Sequence, residues 1–435
     1  MVRKSVLANA ALYSEVSLSF IDDDGYPFSI PVSVEIDQEN EIVKIAKPRT
    51  LSKIEGREIS LTFNHIVPLP VGGYTDRRYI VLWGKLTDAV DGYRLKPAKS
   101  YVWDEKEVPF FQYSEMKVTR ARRYLDELNE KPWLSTPWLI MRTFRLPFVI
   151  ATLLPVLIGG VVAYRVGHFD WILLALTLSG ALLIHLGANT ANDYYDSLLG
   201  ADDINTTPTP FSGGSRVIQY GLLPSRMILS LSSSTYLAGT LIGLYLTFTR
   251  GLPILVIGLV GFLVSWGYTA PPLKLAYRGL GELAVAIGFG PLLVLGSYYV
   301  QTQSFSIEAV LASIPLGLLV MLILYVNEIP DRTWDDEAGK TTFVARIKEN
   351  AIVRGYEMTM TVVYGIIIVG AATRIFPVTI LIALFTLPLC VNERRLISGN
   401  LGNPYGLMPA MSSNIKIFTY TAILMLTGYL ISFLL

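Results

Sequence analysis

Asn189-Thr190-Ala191-Asn192-Asp193-Tyr194-Tyr195-Asp196, continued by Ser197-Leu198-Leu199-Gly200-Ala201-Asp202-Asp203, follows directly on a long apolar run. It places four carboxylates and two carboxamides at the mouth of a membrane helix. An Asp at a helix centre costs about 2.5–3.5 kcal/mol on insertion scales, and less near the ends, so a compensating cation is expected. On a helix Asn189, Asn192, Asp193 and Asp196 fall at i, i+3, i+4 and i+7, one face. Such a face cannot bind an anion unaided. It can hold a hard divalent cation, which then takes phosphate oxygens.

A second acidic cluster has the same setting. After the apolar run Ile314 to Val326 comes Asn327-Glu328-Ile329-Pro330-Asp331-Arg332-Thr333-Trp334-Asp335-Asp336-Glu337-Ala338-Gly339-Lys340. Asp331 and Asp335 stand at i, i+4, and Asn327 is expected to extend that face by another turn. Two acidic faces, each ending an apolar span, point to one site in which Mg²⁺ bridges a diphosphate.

The surrounding composition fits a membrane chain. Of 435 residues 52% are hydrophobic and only 16% charged, well below the ~25% charged residues of soluble domains. A net charge of +1 gives no support to nucleic-acid binding. The single cysteine, Cys390, rules out an intrachain disulfide framework and is expected to be a buried small hydrophobe. Met1-Val2-Arg3-Lys4-Ser5 opens without an apolar stretch, so no signal peptide is expected.

Residues 1–113 read differently from the rest. Leu18 to Ile21, Phe28 to Ile36, Ile42 to Ala46, Ile59 to Phe63 and Tyr79 to Leu82 alternate in polarity between turn signals such as Asp24-Gly25 and Gly72-Gly73. The pattern predicts a small soluble antiparallel β-barrel or sandwich. Residues 114–137 read as a charged helical linker, after which Arg142 and Arg145 are expected to pair with lipid phosphates. Residues 138–435 read as a polytopic all-α membrane domain of nine transmembrane helices: 146–166, 170–190, 227–248, 252–270, 281–301, 308–328, 356–373, 376–391 and 415–435. Each is near the ~20 residues that cross the hydrocarbon core, and helices satisfy their own backbone there.

With the amino end inside, the loops after the even spans carry Arg216, Lys274, Arg278, Lys340 and other basic residues, while the opposite loops carry only Arg165, Arg250 and Arg374. That asymmetry predicts a plasma-membrane protein with its β-domain and both acidic motifs cytoplasmic. The loop after the fourth span, Ser265 to Glu282, ends its helix at Pro271-Pro272 and presents Lys274 and Arg278 on the same side as the motifs.

Asn192-Asp193-x-x-Asp196 with Asp202, and Asp331-x-x-x-Asp335 followed by Gly339-Lys340, resemble the two aspartate-rich motifs of the UbiA superfamily of intramembrane prenyltransferases. The likeness covers Trp138 to Leu435. Gly200 stands where the commonest form has a third Asp, and Asp202 follows. That variant, with Ser212-Gly213-Gly214-Ser215-Arg216-Val217-Ile218-Gln219, is similar to the 1,4-dihydroxy-2-naphthoate polyprenyltransferase branch. The resemblance implies Mg²⁺ on Asn192, Asp196, Asp202, Asp331 and Asp335, with Asp193 a catalytic residue or a further ligand. It places Tyr268 and Lys274 over the site, Lys274 as a mobile positive charge on the leaving diphosphate. Ser215, Arg216, Arg278, Lys340 and Tyr195 are the candidate substrate-binding residues, Arg216 for an acceptor carboxylate or the diphosphate. Tyr194, Tyr195 and Tyr268 offer faces to an allylic cation, roughly 0.5–2 kcal/mol each.

The implied partners are a polyprenyl diphosphate, an aromatic acceptor and the lipid bilayer, in menaquinone-type quinone synthesis. A prenylglyceryl phosphate acceptor in ether-lipid synthesis is the alternative. An ion-coupled transporter is a third reading, opposed by motifs that end spans rather than interrupt them. Gly25-Tyr26-Pro27-Phe28-Ser29-Ile30-Pro31-Val32, then Lys47 to Lys53, resembles the flavin-binding split barrels of the pyridoxamine-phosphate oxidase type. This implies an FMN phosphate held by Arg49, Thr50, Ser52 and Lys53.

Overall fold

The computed structural model describes residues 4–13, 15–22, 27–47, 56–68, 74–90, 92–127, 136–205 and 207–435. The chain divides into two compact units, Met1–Ser114 and Glu115–Leu435.

The first unit opens with α1 (Lys4–Ala10) and builds an eight-stranded antiparallel sheet: β1 (Glu15–Ile21), β2 (Pro27–Pro31), β3 (Val34–Asp37), β4 (Ile42–Ile45), β5 (Glu58–Pro68), β6 (Tyr74–Ala89), β7 (Gly92–Leu95) and β8 (Lys99–Asp104). Alternation is what makes these strands. β1 buries Val16, Leu18 and Phe20, and β5 buries Ile59, Leu61 and Phe63, so one face packs and the other is left outward. β6 serves two halves, its Tyr74–Lys85 stretch pairing with β5 and its Leu86–Ala89 stretch with β7.

One expectation is corrected here. The run Phe28 to Ile36 is two strands rather than one. After Pro31, Val32 N–H bonds Val16 O while Ser33 O accepts from Ala46, which hands the chain from one half of the sheet to the other. The strand path is β2-β1-β5-β6-β7-β4-β3, with β8 on β6, and no ladder joins β2 to β3 among the described residues. The flavin candidates Arg49, Thr50, Ser52 and Lys53 lie outside the described residues.

The second unit is helical. α2 (Phe110–Glu127) leads to α3 (Thr136–Thr143), α4 (Ile150–Arg165), α5 (Trp171–Leu198), α6 (Ala201–Ile204), α7 (Ser225–Arg250) and α8 (Leu252–Trp266). Then come α9 (Gly281–Ile287), a π-turn at Gly288–Leu292, α10 (Leu293–Thr302), α11 (Ile307–Glu328), α12 (Arg332–Glu337), α13 (Phe343–Arg346), α14 (Glu349–Ala372), α15 (Leu387–Asn400) and α16 (Met408–Ile431).

Seven helical stretches are long and apolar enough to cross a bilayer: 146–165, 171–198, 225–250, 281–302, 307–328, 349–372 and 408–431. This is a multi-pass membrane protein. The expected spans 252–270 and 376–391 are not full-length α-helices. The first is the 15-residue α8, and the second begins as a 3-10 helix, Val378–Thr386, before α15. Pro271-Pro272 and Pro377 bound these two segments on the sequence side, since proline cannot continue a helix.

α5 starts sharply because the Asp170 carboxylate accepts from Ile172 N at 2.7 Å and Leu173 N at 3.0 Å. α11 lies at the centre, packed by α4, α9, α10, α14 and α16, and buries Leu316, Leu319, Leu322 and Val326 completely. Between α11 and the π-turn segment the backbones nearly touch: a Cβ on Gly290 would lie 2.6 Å from Ser313 O. Apolar helices in lipid gain little from burying more carbon, so close backbone approach through small residues is what joins them. The long core therefore holds the C-terminal ends of α5 and α11, where both acidic motifs begin.

Candidate active site

Both motifs end helices, and the chain folds them toward one another. On α5, Asn192 Nδ2 donates to Asp196 Oδ2 at 2.9 Å, the i, i+4 contact the spacing predicts. Lys340 Nζ stands 3.4 Å from Asp196 Oδ2 and 3.7 Å from Asp335 Oδ1. One ammonium thus bridges the first motif to the second across 139 positions, the separation of Asp196 and Asp335.

The second motif is reached after a break. α11 stops at Glu328 and α12 starts at Arg332, with Asp331 at its N-terminal edge. The expected continuous face from Asn327 through Asp335 is therefore interrupted, and the Asn327 Oδ1 has no hydrogen-bond partner among the described residues. Asp331 is held instead by Asn205 Nδ2 at 3.0 Å on Oδ1 and by Gly213 N at 3.0 Å on Oδ2.

The loop 205–217 links the motifs. Asp193 accepts from Ser215 N at 3.2 Å and pairs closely with the Arg145 guanidinium. Arg145 also donates to Asn192 Oδ1 at 2.8 Å. Arg216 turns back on its own loop, donating to Asp202 O and, at 2.8 Å, to Asn205 O. Gly214 has φ +76°, and a Cβ there would stand 2.5 Å from Asp202 Oδ2. Only glycine meets both demands.

Arg142 donates from Nε to Ser215 O at 2.6 Å and forks onto Glu115 at 2.8 and 3.2 Å. The expectation that Arg142 and Arg145 pair with lipid phosphates is corrected: Arg145 braces the first motif and Arg142 the loop beside it. The sequence showed them only as basic residues before a span.

The loop after α8 contributes an unforeseen residue. Tyr277 O–H donates to Asp196 Oδ1 at 2.8 Å, and its ring has Lys340 Nζ at 5.8 Å and Lys274 Nζ at 5.6 Å from its centroid. Lys274 itself, at φ 44°, has no bond to a motif carboxylate among the described contacts. Arg278 is exposed and donates to Pro272 O at 2.9 Å. Tyr195 packs edge-on against Tyr194, with ring centroids 5.1 Å apart. Tyr268, in the same loop, has its phenol held well above the ordinary range by burial and then by Glu328. Tyr277 and Asn205 carried no signal beyond position, since a lone Tyr or Asn in a loop is common.

The electrostatics follow from crowding acids in a dry place. Burial pushes the Asp335 carboxyl up to about 7 and raises Asp331. Asp202 rises well above its usual value through burial, then through the charges of Asp196 and Asp193. Burial alone would lower Lys340, but Asp196 and Asp335 more than offset it and hold the ammonium charged. Among the described residues no three acidic, His or Cys side chains already cage an ion. The donor set suits Mg²⁺ all the same, because that ion keeps waters and takes one or two carboxylates plus phosphate oxygens rather than a full protein cage. Lys340 already brings one positive charge to carboxylates of both motifs.

Fold and site together define a helical membrane protein whose bundle carries an acidic, lysine-bridged mouth built from two distant motifs. Residues 152–414 match the UbiA prenyltransferase family. The chain belongs to that family and is a prenyltransferase.

The chain is similar to the 1,4-dihydroxy-2-naphthoate octaprenyltransferase of Bacillus subtilis (strain 168), 30% identical over 289 residues, covering 65% of this chain and 89% of that protein. The enzyme of the same name from Escherichia coli (strain K12) is 27% identical over 329 residues, covering 73% and 98%. Among solved structures, a UbiA homolog from Archaeoglobus fulgidus bound to GPP and Mg²⁺ is similar at a TM-score of 0.41 and 15% identity, over 66% of this chain and 99% of that one.

Proposed function

We propose that the protein transfers a polyprenyl group from its diphosphate to 1,4-dihydroxy-2-naphthoate, with loss of the acceptor carboxylate, in menaquinone-type quinone synthesis. One observation carries the reading: Lys340 stands within 3.7 Å of carboxylates from both motifs, so a single diphosphate can engage both. The naphthoate acceptor is favoured by the names of the curated relatives. Asn192, Asp196, Asp202, Asp331 and Asp335 would hold Mg²⁺, which when bound neutralises the leaving diphosphate.

The chain's own groups do the rest. Lys340 exchanges its carboxylate partners for diphosphate oxygens, and Lys274 swings in from the Tyr277 ring to add a second positive charge. Arg145 and the Ser215 amide fix Asp193, which orients Asn192 rather than touching substrate. Ser215 and Arg216 shape the loop on the diphosphate side of the site, and Arg278 guides the anionic substrate in from solvent. Tyr195 and Tyr268 present ring faces to the allylic centre, while the prenyl tail stays among apolar helices.

In this reading α8 and 378–391 also cross the bilayer, giving nine segments. The basic loops then put the β-unit (1–113) and, beyond the 114–137 linker, the motifs of 138–435 in the cytoplasm, at the cell membrane. The β-unit's FMN assignment on Arg49, Thr50, Ser52 and Lys53 rests on the sequence resemblance, and a colourless purified protein refutes it.

The test is an acceptor screen by mass spectrometry with purified protein, long-chain prenyl diphosphate and Mg²⁺. The naphthoate is expected to yield a prenylated, decarboxylated product, and a prenylglyceryl phosphate to yield none. Asp196→Asn and Asp331→Asn should each abolish transfer, and wild-type rates in either would refute the shared site.

A further inference from the structure

His185 lies inside α5, buried to 8% exposure, in a span where an ionisable side chain is functional by default. It falls at i to Asn189 at i+4, Asn192 at i+7 and Asp196 at i+11, so it shares the face that carries the first motif. At 1.5 Å per residue it sits about 10 Å beneath Asn192 along the helix. Its Nδ1 is within 2.8 Å of Thr152 Oγ1 on α4. Its ring meets Phe289 edge-on, with centroids 4.9 Å apart, and Phe289 belongs to the π-turn Gly288–Leu292, an irregularity that tends to mark functional places in helices. Nε2 has no hydrogen-bond partner among the described residues.

The ring is anchored through Nδ1, which leaves Nε2 as its second nitrogen on a helix whose motif face the residue shares. We propose that His185 is a catalytic residue whose Nε2 takes, and later returns, the proton of the acceptor hydroxyl; this rests on the naphthoate reading above. In the tautomer that donates Nδ1–H to Thr152, Nε2 carries the free lone pair.

The step balances. The acceptor carbon bearing the carboxylate bonds to the terminal prenyl carbon as the prenyl carbon–oxygen bond breaks, its electron pair leaving with the diphosphate. The neighbouring hydroxyl becomes a carbonyl and its proton passes to Nε2. The resulting β-keto carboxylate loses CO₂, the electron pair restores the aromatic ring, and the oxygen takes its proton back from the imidazolium. His185 is regenerated and no further reactant is needed.

The test compares wild type with His185→Gln, which keeps a group able to bond Thr152, using the naphthoate and a halogenated naphthoate whose hydroxyl is more acidic. The expected loss is about 10²- to 10³-fold in kcat, as removal of a general base gives, with KM for prenyl diphosphate unchanged and a smaller loss on the halogenated acceptor. A kcat within about threefold of wild type, or the same loss on both acceptors, overturns the proposal. Thr152→Val, which frees the ring, should lower kcat about tenfold in protein of wild-type melting temperature, and unchanged kcat there also overturns it. If wild type itself makes no product from the naphthoate, it is the acceptor reading that has failed.

Discussion

Asp335→Asn tests whether the acids at the site are forced together in a dry place. Burial holds the Asp335 carboxyl near 7 in the folded protein against an ordinary 3.8. The folded form therefore keeps its proton to higher pH than the unfolded chain does, so acidification favours folding. That contribution is complete below about 3.8 and gone above about 7. Between about pH 8 and pH 6 one such group contributes about 1.4 kcal/mol. The measurement is unfolding of the purified protein in detergent with chelator at both pH values. Wild type should gain stability at the lower pH, and Asp335→Asn should gain about 1.4 kcal/mol less, with a residual slope from Asp331 and Asp202, which shift the same way. Mg²⁺ should flatten the wild-type response by keeping the carboxylate ionised. A variant that retains the full wild-type pH response would show that Asp335 is solvated like an ordinary surface acid.

Gly214→Ala must strain a left-handed backbone, about 1–2 kcal/mol, and push a methyl into Asp202; turnover should fall at least tenfold while the melting temperature drops only a few degrees. Gly317→Val overfills the contact of α11 with α9, where the added carbon meets Ala286 O, and should cost about 1–3 kcal/mol or more in thermal unfolding. Glu115→Gln leaves Arg142 without its carboxylate fork. It should cost about 1.5–3 kcal/mol and slow turnover through the Ser215 carbonyl, as read by steady-state kinetics at saturating diphosphate. Lys340→Met should weaken prenyl diphosphate binding at least tenfold by calorimetry while sparing the helical circular dichroism signal.

The acidic faces were readable because a local rule wrote them: Asn192 and Asp196 are one turn apart on an uninterrupted helix, and any α-helix would align them. The second face is one turn shorter than its spacing predicts, since the helix is interrupted at Pro330 between Asn327 and Asp331. Hydropathy and helix geometry part company at Val378–Thr386, which is apolar yet wound as a 3-10 helix. In the β-unit, β7 and β8 escaped notice because Gly92-Tyr93-Arg94-Leu95 is too short to show alternation. Arg142, Arg145, Asn205 and Tyr277 act through partners up to 126 positions away, as Asn205 does with Asp331, and spacing along a chain carries no trace of such partnerships.

Because Lys340 brings a counter-ion to carboxylates of both motifs, assembly in the bilayer should not depend on metal supply. The nascent helices can knit and the two acidic ends close up before any magnesium arrives. Starving a cell of the ion would then idle the enzyme without sending it to the proteases, and restored magnesium would restart it with no new synthesis.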